Sequence, residues 1–154
     1  MKPPMQKQPN SSMCFVCGRD NPIGLQMKFF TDAGNCVHAD YQPQDQHQGY
    51  PGVMHGGLVT AMLDELIGRT AIANALWCMT AKLEVRFKKP VPIGAPLKLK
   101  GAITKNTGKL IEGRGEIRLE DGSLAALAVG TFLKIPDDQL AEFQRALTAW
   151  RVDE

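Results

Sequence analysis

Residues 56–76 constrain this chain more than any other stretch, because they read as a helix with almost no polar face. Leu58, Val59, Ala61, Met62, Leu63, Leu66, Ile67, Ala71, Ile72 and Ala75 surround most of its circumference. A helix apolar nearly all round has to be buried by the rest of the chain. The rest of the chain is mostly strand-like. Runs at 25–31 and 36–41 come before the helix, and Asp32-Ala33-Gly34-Asn35 between them suits a hairpin turn. Runs at 79–88, 97–104, 110–119 and 124–135 come after it. In the first of these, Leu83, Val85 and Phe87 alternate with Lys82, Glu84, Arg86 and Lys88, the period-two pattern of a half-buried strand. Asp121-Gly122 marks a tight hairpin. Two strands, one buried helix and four more strands predict an α+β domain. In it, an antiparallel sheet of five to six strands wraps around one long central helix.

The 154 residues fit one ordinary domain. Residues 1–13 are polar and proline-rich and read as a flexible tail. Residues 14–136 form the domain. Residues 137–154 carry a short amphipathic helix, with Leu140, Phe143, Leu147 and Trp150 apolar, and a tail. Apolar residues make up 44% of the chain and the net charge is +2, so a real core is available and disorder is excluded. The basic residues are spread rather than massed, which argues against a nucleic-acid partner. No apolar run is long enough to cross a bilayer, and the start of the chain has no signal-peptide character. The expected location is the cytoplasm, with Cys14, Cys17, Cys36 and Cys78 mostly reduced.

The chemistry concentrates at the start of the buried helix. His55-Gly56-Gly57 precede it, and the helix is almost free of polar residues until Asp64 and Glu65. Glycines let the backbone approach a ligand closely. The first turn of a helix offers free N–H groups and the positive end of the dipole, which suit a carbonyl oxygen becoming negative. Gly57, Ala61, Asp64, Gly68 and Ala71 follow helical spacing, so one acid sits in a stripe of small side chains. A carboxylate in such a helix is unfavourable unless paired or used. Glu65 lies four residues before Arg69, the spacing of a helix ion pair, and reads first as structural. Asp64 reads as functional. Its competing reading is a buried acid hydrogen-bonded across a dimer interface.

Taken together, these pieces resemble the hotdog-fold acyl-CoA thioesterases of the phenylacetate-pathway and 4-hydroxybenzoyl-CoA type. The resemblance spans residues 14–135. It rests on Cys14-x-x-Cys17-Gly18-x-x-Asn21-Pro22-x-Gly24-Leu25, on Gln48-Gly49-Tyr50-Pro51-Gly52, on His55-Gly56-Gly57 with Asp64 nine residues after the histidine, and on Arg86-Phe87-x-Lys89-Pro90. The resemblance implies hydrolysis of an acyl-CoA or aryl-CoA thioester. Two subunits pair into one continuous sheet with active sites at their interface, as a dimer or a dimer of dimers. Asp64 is the general base or the nucleophile, the Gly56 N–H polarises the thioester carbonyl, and His55 shapes the site. Thr80 matches a hydroxyl that supports the reacting water from the partner subunit. Relatives often carry Asn or Gln six residues before the histidine. Here that place is Gly49, and Gln48 takes the role if the loop is shifted by one.

Gly57 and Glu65 stand with Gln48 and Gly49 as candidate substrate contacts. Arg86, Lys88 and Lys89 are candidates for the CoA phosphates, with Lys82, Lys105, Lys109 and Arg114 behind them. No cofactor beyond the substrate's own CoA is implied. Cys14-x-x-Cys17 lacks a second ligand pair and a thioredoxin-like context, so the pair reads as structural and no metal site is expected. His38 and His47 read as strand and loop residues. Two other readings use the same fold: a non-catalytic acyl-CoA-binding or regulatory protein, which would tolerate loss of the acid, and a dehydratase. Asp45 with His47 or His55 does not reproduce the Asp-His spacing of the dehydratase.

Overall fold

A computed structural model of the chain describes residues 4–153. Helix α1 (Gly56–Ala73) lies against a seven-stranded antiparallel sheet. The strands are β1 (Gln6–Lys7), β2 (Phe30–Thr31), β3 (Val37–Tyr41), β4 (Cys78–Phe87), β5 (Leu97–Asn106), β6 (Leu110–Arg118) and β7 (Leu124–Lys134), in the order β1-β2-β3-β5-β6-β7-β4. The seventh strand beyond the expected five to six is β1, a two-residue pairing with β2. Among the described residues, no helix is long and apolar enough to cross a membrane.

The predicted alternation places the core. Leu97 and Leu99 on β5, and Ile111 and Ile117 on β6, are buried on the inner face. They meet Met62, Leu63, Leu66 and Ile67 of α1, all fully buried. Truncating one of these leucines to alanine removes about 2–5 kcal/mol. The helix stops earlier than the apolar pattern suggested. Ala75 adopts a left-handed φ of 59°, and the N–H groups of Ala75 and Leu76 turn back to the carbonyls of Ile72 and Ala71 at 3.0 and 2.9 Å. This is a Schellman ending built on alanine rather than glycine.

The N-terminal segment is a correction. Residues 4–13 are not a free tail, and residues 1–3 lie outside the described residues. Gln8 and Asn10 are buried, Asn10 bridges to Arg151, and both side chains meet Arg69. The segment is held by polar contacts, so its polar composition misled. Arg69 is the hub. It is 1% exposed, it pairs through Nε with Glu65 at 3.0 Å, and its Nη1 donates to the Pro9 carbonyl at 2.6 Å. Its guanidinium also stacks over Phe29, 4.6 Å from the ring centroid.

The C-terminal helix α2 (Asp137–Ala146) is shorter than the run to Trp150 that its apolar residues suggested. Phe143 and Trp150 each meet Trp77 edge-on at 5.5 Å between centroids.

Candidate functional site

His55 caps α1. Its Nδ1 accepts the Gly57 N–H at 2.9 Å, so this nitrogen carries no proton and Nε2 holds the ring's N–H. Its backbone N–H donates to the His47 carbonyl at 2.9 Å, tying the preceding loop to the helix start. The ring lies so close to the first turn that a Cβ at Gly57 would sit 3.0 Å from Nδ1. Gly57 thus spends its N–H on the cap. Among the described residues, the Gly56 N–H has no partner.

Gly49, which stands where relatives often have Asn or Gln, has a local cause. A Cβ there would come within 3.0 Å of the His55 Cα. Gln48 is turned back on its own loop, and its Oε1 accepts the Gly52 N–H at 2.9 Å. The amide nitrogen and the second lone pair of Oε1 are left for a ligand. Gln48, Gly49, His55, Gly56, Phe87 and Lys89 all line one cavity of about 700 Å³ at the helix N-terminus.

Two turns further along α1, the Thr80 hydroxyl donates to Asp64 Oδ1 at 2.8 Å. The contact is made within one chain, whereas the resemblance assigned Thr80 to support from the partner. Thr80 reaches Asp64 because β4 carries a bulge. Thr80 opposes Phe132 on β7 and Lys82 opposes Thr131, which leaves Ala81 unpaired. The extra residue flips which side chains face the helix. Leu83 and Val85 face inward after it, and Cys78 and Thr80 before it.

Burial pushes the Asp64 carboxyl above the ordinary carboxylate range, the Thr80 hydrogen bond pulls it back, and the neighbouring Glu65 pushes it up again. Asp64 and Thr80 share a second cavity, of about 260 Å³, with Trp77, Phe132, Phe143 and Trp150. Glu65 lines the same cavity, but Arg69 holds its Oε1 and Cys14 approaches Oε2 at 3.9 Å.

The basic candidates separate. Lys89 joins the cavity at the helix N-terminus, while Arg86 and Lys88 line a groove with Arg114 on the outer face of the sheet. His38 is paired with Asp32 at 2.7 Å, and His47 is buried in its loop. Sequence reasoning missed Trp77 with Phe143 and Trp150 as one aromatic wall, since nothing local links residues so far apart.

Residues 51–126 match the family model described as the thioesterase superfamily. Over 108 residues the chain is 31% identical to an acyl-coenzyme A thioesterase, THEM4, of Xenopus laevis, covering 70% of this chain and 49% of that one. It is similar to the crystal structure of a thioesterase superfamily protein at 28% identity with a TM-score of 0.75, covering 78% of this chain and 59% of that chain. It shares its fold with the PaaI protein of E. coli, from the phenylacetic acid degradation operon, at 15% identity with a TM-score of 0.68, over 73% of this chain and 81% of that one. The fold is that of the hotdog thioesterases. Residues 51–126 are a thioesterase-superfamily domain, and the chain spans about half the length of the vertebrate relative it matches.

Proposed function

We propose that this protein hydrolyses an acyl-CoA or aryl-CoA thioester to the free acid and CoA, in a site completed by a second copy of the chain. The observation that carries this reading is the Thr80–Asp64 hydrogen bond of 2.8 Å in the wall of an apolar cavity, on the helix that also presents the open Gly56 N–H. A half-buried acid held by one hydroxyl and raised towards its protonated form is poised to take a proton from water.

Gly56 and Asp64 of one chain are separated by eight residues of helix, about 12 Å along the axis. Both would have to touch the same carbonyl group, which one chain does not allow. A two-fold partner resolves this by setting its Gly56 N–H beside this chain's Asp64. Strand β4 supports such pairing. It is an edge strand of ten residues, with Met79 and Phe87 65% and 56% exposed. A β4-to-β4 contact would make one continuous sheet.

The thioester carbon then receives a water oxygen as Asp64 takes the proton. The negative oxygen rests on the Gly56 N–H and the helix dipole. Collapse breaks the carbon–sulfur bond, and CoA leaves as its thiolate. Asp64 could instead attack directly, and water would then cleave the resulting anhydride. Lys89, which lines the cavity at the helix N-terminus, is the first candidate for a CoA phosphate, with Arg86 and Lys88 in the separate groove on the outer face. A cavity of about 150 Å³ accepts benzene. The four aromatic walls around about 260 Å³ suit an aryl or medium-length acyl group. Neither a metal nor a further cofactor enters this reaction. Four unpaired cysteines fit a reducing compartment such as the cytoplasm.

The test is thiol release from a panel of acyl-CoAs and aryl-CoAs, with Asp64→Asn beside the native protein. The variant should lose turnover by about a hundredfold or more while staying folded. No cleavage of any thioester, or an equally active variant, would overturn the assignment.

A further inference from the structure

Cys14 and Cys17 are unabsorbed by this chemistry, yet both line the Asp64 cavity. They sit in one tight turn, closed by the Gly18 N–H on the Cys14 carbonyl at 2.7 Å. The Cys17 N–H donates to Cys14 Sγ at 3.4 Å. The two sulfurs and a Glu65 carboxylate oxygen all lie within 4.8 Å of one another. We propose that Cys14 and Cys17 form an oxidisable dithiol in the cavity wall, which a peroxide closes to an intramolecular disulfide.

The surroundings favour one thiolate and one thiol. The pairing with Cys14, together with the Arg69 charge, overcomes burial and lowers the Cys17 thiol to about 5. The same pairing and burial hold the Cys14 proton on. The Cys17 thiolate attacks the peroxide, the O–O bond breaks, and hydroxide leaves. The resulting sulfenic acid is attacked by Cys14, which loses its proton, and water leaves as the S–S bond forms. The hydroxide takes up the proton that Cys17 had released, so two thiols are oxidised and one hydrogen peroxide is reduced to two molecules of water. Closure takes the S–H from Glu65 Oε2 and the thiolate from beside Arg69. A divalent metal is the poorer occupant. The Arg69 guanidinium already holds Glu65 at 3.0 Å and would stand next to the ion, and among the described residues only three ligand groups converge where structural zinc takes four.

The experiment treats the full chain with hydrogen peroxide and follows free thiols, intact mass and a peptide map. Free thiols should fall from four to two, with loss of two hydrogens in one peptide that links Cys14 to Cys17, reversed by dithiothreitol. The pair should react at least about tenfold faster than Cys36 and Cys78. Cys14→Ser should stop at a Cys17 sulfenic acid that dimedone traps. The proposal fails if Cys36 or Cys78 reacts first, if the native protein gives no Cys14–Cys17 linkage, or if the purified protein carries one zinc ion that protects the pair. None of these readouts uses thioesterase activity, so the result stands apart from the fate of the hydrolase reading.

Discussion

Thr80 donates its hydroxyl to Asp64 Oδ1 across 2.8 Å, which joins the first turn of an edge strand to the middle of the buried helix. The bond opposes the effect of burial on the acid. Thr80→Val should therefore let the Asp64 pKa rise further. A base must be ionised to act, so the acid limb of the rate profile should move to higher pH. At neutral pH kcat should fall about tenfold. A kcat profile from pH 4 to 8 checks this, and an unmoved limb would remove Thr80 from the site.

The same raised pKa bears on stability. Asp64 binds its proton more tightly folded than unfolded, so its contribution is full at low pH and is lost as pH rises through the folded value. Asp64→Asn removes that burden. At pH 7 it should melt no lower than the native protein, while turnover disappears.

Sharing of the site between two copies can be tested through the Gly56 N–H. Gly56 is the first helical residue after the His55 cap, a place where proline is tolerated, and His55 has the extended ψ of 131° that suits a residue before proline. Gly56→Pro should delete that one donor and lower kcat by about a hundredfold. Mixing it with Asp64→Asn and allowing subunits to exchange should restore activity, because a mixed dimer keeps one intact site. No recovery in a verified mixed dimer would mean that both groups act within one chain.

Trp150 closes the cavity by packing against Trp77. Trp150→Ala should open the aromatic wall and raise kcat/KM for long acyl chains relative to short ones by about tenfold. A panel of chain lengths reads this directly.

Arg69→Met should destabilise the fold by about 3–5 kcal/mol, seen in urea denaturation. The loss leaves Glu65 buried without its cation and unpins Gln8 and Asn10.

Much of the fold was legible because apolar period governs it. The helix and the five longer strands, in their order along the chain, follow from apolar spacing and turn signals, and the acid stands out because its helix is otherwise apolar. What escaped was held by polar or distant contacts. Gln8 and Asn10 give no periodic signal, since they are buried by pairing with Arg69. The clustering of Trp77 with Phe143 and Trp150 depends on tertiary packing. The stretch at 25–31 packs Leu25, Met27 and Phe29 into the core, yet only Phe30–Thr31 joins the sheet. Alternation around Leu83 and Val85, carried backwards, would have turned Thr80 away from the helix.

The unpaired Ala81 acts as a phase shifter. Were Ala81 drawn into the regular ladder instead of bulging, Thr80 would swing to the opposite side of the sheet and Met79 would come against the helix, with no residue of the site itself altered. In this strand the phase of the backbone, as much as the identity of its residues, decides what meets the acid, and one bulge sets that phase for the whole stretch before it.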